Sequence, residues 1–125
     1  MIEQLPELIN SHEEIVHRGR FINEEIMIII GAEEYRVVIK DGVVSSVLTG
    51  PFLMRPCSIV IRASKAAWQK FWQQYPPPGY NDILAMIKLG EAEVVGDWRV
   101  FIQNLRYFKD LLEAPRKLNK ENGNA

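Results

Sequence analysis

The chain predicts an α+β domain, a five-stranded, largely antiparallel sheet covered on one face by helices. Two observations predict it. Strand-period apolar segments occupy roughly the first sixty residues, and helix-period segments occupy most of the remainder. Glycine, proline and capping residues stand at the boundaries between them. A length of 125 residues suits one domain with one core, so residues 1–125 are read as a single unit. Residues 1–17 are its N-terminal lead-in, and residues 117–125 a polar, disordered tail.

The elements follow in order. Residues 2–9 form a short helical lead-in that Pro6 limits to its first turn or breaks. Phe21 to Ile30 is the first strand; its run Ile26-Met27-Ile28-Ile29-Ile30 is apolar at successive positions, as in a strand covered on both faces. Tyr35, Val37 and Ile39 alternate with Arg36, Val38 and Lys40, the period of a second, half-buried strand. Asp41-Gly42 is a two-residue type I′ turn, which needs positive φ at both positions, and Val43 to Leu48 returns as the hairpin partner. After an irregular stretch between Gly50-Pro51 and Arg55-Pro56, Cys57 to Arg62 reads as a fourth strand that completes an antiparallel meander.

Ser64 is the N-cap of the next helix, with Trp68, Phe71, Trp72 and Tyr75 on one face at i, i+3, i+4 and i+7. Pro76-Pro77-Pro78 forbids its continuation. Asn81 or Asp82 caps a short helix with Ile83, Leu84 and Ile87 inward and Gly90 at its C-terminal end. Glu91 to Val95 is the fifth strand. Asp97 then caps one long last helix, with Phe101, Leu105, Phe108 and Leu112 inward, ending before Pro115.

Composition narrows the function. Net charge is −1, with 47% hydrophobic and 25% charged residues, so broad electrostatic capture of nucleic acid is excluded as a role. One cysteine, Cys57, forms no internal disulfide and no thiol metal site, and suits a small core position in a reducing, cytoplasmic setting. The N-terminus lacks the pattern of a secretory signal, and the longest apolar run is far shorter than the roughly 20 residues of a membrane-spanning helix. No motif requires a metal or a cofactor. His12 and His17 are five apart, off one helix face. Glu13, Glu14 and His17 can be drawn as an acid–base group, and Asp41 and Asp97 as lone acids. A solvated segment, a turn and a helix cap explain them as well, and no catalytic residue is assigned.

What the chain offers instead is apolar surface. Trp68, Phe71, Trp72, Leu84, Ile87, Phe101, Leu105 and Phe108 are the candidate ligand-binding residues, drawn from three helices. The same side chains suit an ordinary core, and two tryptophans can also mark a partner surface. Arg62, Arg106, Lys109 and Tyr107 are candidates for meeting a polar head group at the mouth of such a site.

Taken in order, certain segments resemble the sterol carrier protein 2 family. They are Asp41-Gly42 with Val43-Val44, Ser58-Ile59-Val60-Ile61-Arg62-Ala63-Ser64, Leu84 to Gly90, Glu91 to Val95, and Gly96-Asp97 with the final helix. The resemblance covers roughly Phe21 to Leu112. It implies helices over a sheet with an apolar tunnel between the layers, and binding, transfer or presentation of a sterol, fatty acid, fatty acyl-CoA or other lipid. A lipid-metabolising enzyme is an implied further partner, and a small enzyme or accessory subunit of a lipid-modifying assembly is the alternative. The ending Gly-Asn-Ala is not the peroxisomal tripeptide of many eukaryotic members. The Trp68/Trp72 pair and the triple proline look more like small bacterial versions.

Overall fold

A computed structural model describes residues 2–51 and 56–121. Its sheet has five strands in the order β3-β2-β1-β4-β5, where β1 is Asn23–Ile30, β2 Glu33–Lys40, β3 Val43–Thr49, β4 Ile59–Ala63 and β5 Ala92–Gly96. Between β2 and β3, Asp41 (φ 52°) and Gly42 (φ 81°) both adopt the left-handed backbone that the tight turn requires. Gly42 has a second reason to lack a side chain, because a Cβ there would stand 2.4 Å from the Val16 carbonyl oxygen. The pairings β1–β2, β2–β3 and β4–β5 are antiparallel, but β4 lies parallel to β1, with Ile26 beside Ile59 and Ile30 beside Ala63. The expected meander therefore stops after β3. The stretch from Gly50 to Ser58 is too long for a tight hairpin, and it lets the chain cross to the free side of β1.

Being central, β1 is buried on both faces. Ile26 and Ile28 join the main core beneath the helices, while Met27 and Ile29 are buried on the opposite face. Beside Met27 on that second face lies Arg36, which donates to Glu25 Oε2 at 2.5 Å, the Pro56 carbonyl at 2.8 Å and Cys57 Sγ at 3.0 Å. Cys57 is half-buried just before β4, rather than within a strand. Phe21 precedes β1 and is exposed under the Arg20 guanidinium.

The N-terminal segment belongs to the core instead of leading into it. A 3₁₀ turn at Ile2–Gln4 runs into α1 (Leu5–Asn10), and Ile2, Leu5 and Ile9 are buried. Pro6 sits in the first turn of α1, where its missing N–H breaks no helical bond. Asn10 at its end both accepts from the Val44 amide and donates to the Val44 carbonyl, each at 2.9 Å. That side chain occupies the outer edge of β3, where a further strand would otherwise pair. The helix α2 (Glu13–Arg18) follows on the surface.

Ser64 caps α3 (Lys65–Phe71) by accepting from Ala67 N at 3.1 Å. The helix ends at Phe71, so Tyr75 does not continue its inner face and is 75% exposed. Asp82, and not Asn81, caps α4 (Ile83–Lys88), whose buried residues are Ile83 and Met86; Leu84 and Ile87 flank them half-buried. The expected long last helix is two, α5 (Trp98–Gln103) and α6 (Leu105–Glu113). They break at Asn104, whose side chain bonds back to the Val100 carbonyl at 3.0 Å. On α6, Tyr107 and Leu111 are buried together with Phe108 and Leu112, whereas Leu105 is only half-buried. The tail expected to be disordered is helical over Arg116–Glu121 (α7), while residues 122–125 lie outside the described residues.

Candidate functional site

Two tryptophans on and just past α3 form the floor of a cleft. Trp68 and Trp72 are one helical turn apart, and their rings stack at 4.9 Å with 22° between planes. Each indole N–H is anchored to backbone from a different element, Trp68 Nε1 to Ile29 O at 2.9 Å and Trp72 Nε1 to Leu112 O at 2.8 Å. These bonds hold the pair in one orientation between the end of β1 and the end of α6.

Beside the pair lies a cleft of about 460 Å³, within the range of small-molecule sites. Ile2 and Ile30 add apolar wall. Lys65, Gln69 and Gln73, spaced four apart along and just past α3, form a polar margin with Glu3, Tyr35 and Asn119. The Tyr35 hydroxyl donates to Glu33 Oε2 at 2.6 Å. That bond, helped by burial, pushes its pKa up to about 12. The Glu3 carboxyl is held below the usual range, chiefly by a backbone hydrogen bond. Tyr35 is thus neutral and Glu3 ionised at pH 7. Among the described residues no serine, cysteine or histidine lines the cleft, and no nucleophile–base pair is assembled there.

Of the eight candidate ligand-binding residues, Trp68 and Trp72 line this cleft, both buried behind its wall at 0% and 4% exposure. Phe71 packs edge-on to Trp68 at 5.6 Å behind it, and Phe101 stacks on Phe108 at 5.6 Å deeper in the core; all three are fully buried. Leu84, Ile87 and Leu105 lie half-buried against the same core, away from the cleft.

The candidate head-group residues serve elsewhere. Lys109 pairs with Asp82 at 2.9 Å, and Arg106 lies 3.7 Å from Asp110 on the surface. Arg62 is exposed beside Glu93. Tyr107 is buried, its hydroxyl donating to Gly42 O at 2.8 Å, and burial raises its pKa far above the ordinary tyrosine value. The cleft's own cation is Lys65, which sequence reading passed over although its spacing to Gln69 and Gln73 was visible. Ile2, Glu3, Ile30, Tyr35 and Asn119 reach the cleft only through tertiary packing.

The acids and histidines considered for catalysis are dispersed. His17 is exposed on α2, Asp41 sits in the β2–β3 turn, and Asp97 accepts from Val100 N at 3.1 Å as the cap of α5. Among the described residues no group of three His, Cys, Asp or Glu side chains is placed to hold a metal ion, and no helix is long and apolar enough to cross a membrane.

No family sequence model matches the chain, and no curated protein matches it. Solved structures do match. A conserved hypothetical protein of Thermus thermophilus, described as a candidate sterol carrier protein, superimposes with a TM-score of 0.71 at 13% identity, over 93% of this chain and 84% of that one. A structure of sterol carrier protein 2 gives 0.70 at 13% identity, over 92% of both chains. A ubiquinone synthesis protein, UbiJ-SCP2, gives 0.60 at 19% identity, over 91% of this chain and 87% of that one. The chain has the sterol carrier protein 2 fold.

Proposed function

We propose that this chain of sterol carrier protein 2-like fold is a cytoplasmic binding protein that carries or presents a hydrophobic ligand, such as a fatty acid, a fatty acyl-CoA, a sterol or another lipid. The cleft floored by the Trp68–Trp72 stack carries the reading, because it combines an apolar wall backed by a fixed aromatic pair with a polar margin. In this reading the apolar body lies against Ile2, Ile30 and the edge of Trp72, with the buried Trp68 ring behind them, and the head group meets Lys65, Gln69 or Gln73. Phe71, Phe101 and Phe108, with Leu84, Ile87 and Leu105, form the apolar layer into which a longer ligand extends. Each buried methylene contributes about 0.8 kcal/mol, so a chain of roughly ten reaches near-micromolar affinity after ordering costs.

Likeness to a ubiquinone synthesis protein favours a second reading, presentation of the ligand to a lipid-modifying enzyme by an accessory subunit. Both readings need the same cleft.

The test is titration with fluorescent fatty acid, acyl-CoA and sterol probes, using wild type, Ile30→Lys and Leu105→Trp. Ile30 is half-buried at the cleft wall, so a charge there should raise Kd at least tenfold with little change in melting temperature. Wild type that binds none of the probes refutes the function. Binding that survives Ile30→Lys and is lost in a stably folded Leu105→Trp moves the site to the layer beneath α6.

A further inference from the structure

We infer that α7 is a strap that gates exchange of ligand at the cleft; this rests on the cleft being the ligand site. The last carbonyls of α3 have no partner within their own helix, and side chains of α7 supply one. Arg116 donates to Phe71 O through Nε at 3.0 Å and a terminal nitrogen at 2.7 Å, with its guanidinium 4.9 Å from the Phe71 ring centroid. Asn119 Nδ2 donates to Trp72 O at 2.6 Å while the same residue lines the cleft. Lys117 meets His12 Nε2 across the surface.

The fastening is polar and lies at the periphery. Ala114 and Pro115, the residues buried in the core, precede the helix, whereas Lys117 is exposed and Arg116, Leu118 and Asn119 are half-buried. Releasing α7 therefore breaks a few hydrogen bonds without emptying a core position. Arg116 also pairs with Glu113 at 3.3 Å, but burial pushes the Glu113 carboxyl up and the Arg116 guanidinium down, so desolvation offsets much of that attraction. The bond that matters most for the cleft is that of Asn119, because it ties the strap to the residue whose ring forms the floor. When it opens, the Trp72 end of the cleft is uncovered, and when it closes, a seated ligand is retained.

A gate predicts a kinetic signature distinct from that of a ligand contact. Lowering the barrier to opening accelerates entry and exit together and leaves affinity nearly constant, whereas loss of a contact accelerates exit alone. Stopped-flow binding of a fluorescent fatty acid should show both rate constants rising about fivefold in Arg116→Ala, a fastening residue that does not line the cleft, with Kd within about twofold of wild type. Arg116→Met keeps the apolar stem and removes the donors, and should behave alike if Arg116→Ala folds poorly. A rise in the exit rate alone, or unchanged rates in either folded variant, overturns the gate while leaving the binding site intact. A wild type that binds no lipid probe removes the cleft reading and the gate together.

Discussion

Replacing Trp72 with phenylalanine tests whether the cleft floor is anchored as described. The indole N–H donates at 2.8 Å to Leu112 O, a terminal carbonyl of α6 with no partner inside its own helix, and the residue is only 4% exposed. Phenylalanine keeps an aromatic ring against Trp68 but leaves that carbonyl unsatisfied in a buried setting, which costs about 1–3 kcal/mol. The smaller ring also forfeits apolar contact worth roughly 1 kcal/mol. The sum, about 2–4 kcal/mol, corresponds for a domain of this size to a fall in melting temperature of roughly 6–15 °C. Thermal unfolding followed by circular dichroism measures it, with Trp98→Phe as the control, because Trp98 is exposed and its replacement should shift the midpoint by less than about 2 °C. If Trp72→Phe melts within about 2 °C of wild type, the anchoring bond is not made and the argument for a fixed floor fails.

Further outcomes follow from the same contacts. Asn10→Ala removes both bonds to Val44, and denaturant unfolding should show a loss of about 1–3 kcal/mol. It also uncovers the β3 edge, so light scattering should report concentration-dependent association; an unchanged midpoint with no association would mean that Asn10 guards nothing. Tyr35 has its folded pKa raised from the ordinary value of about 10 to about 12, so the folded state holds the phenol proton more tightly than the unfolded chain. Its contribution is fully present below about pH 10 and is lost as pH rises through about 12. Unfolding free energies measured on both sides of this window should therefore fall less steeply in Tyr35→Phe than in wild type, and equal slopes would contradict the Glu33 bond.

The sequence by itself determined what depends on neighbours along the chain. The extent of the five strands follows from their apolar period, and the Asp41-Gly42 turn, the Ser64, Asp82 and Asp97 caps and the Gly90 helix end arise from backbone sterics and local hydrogen bonds. The type of each residue reveals them. Periodicity also showed that Trp68, Phe71, Trp72, Phe101 and Phe108 face inward, because a helix must bury its apolar stripe. What it did not determine is where one stripe meets another. The parallel β1–β4 pairing depends on which edge of β1 the chain reaches after Gly50, and a strand's own pattern is the same on either side. Nor did periodicity determine the break at Asn104, where the side chain bonds to the Val100 carbonyl, or the contact of Tyr107 with Gly42, 65 residues away in sequence.

The cleft is the clearest case of a feature that only the tertiary structure decided. Its tryptophan floor was legible, but Ile2, Tyr35 and Asn119 come from segments far apart in sequence, two of them read as a lead-in and a frayed tail. Polar, short segments such as α7 show little apolar periodicity, so nothing local distinguishes a free end from one whose side chains find orphan carbonyls on another helix. Those carbonyls, Phe71 O and Trp72 O, exist as unsatisfied acceptors only once α3 has stopped, and Arg116 and Asn119 reach them only when α6 has been packed against the sheet.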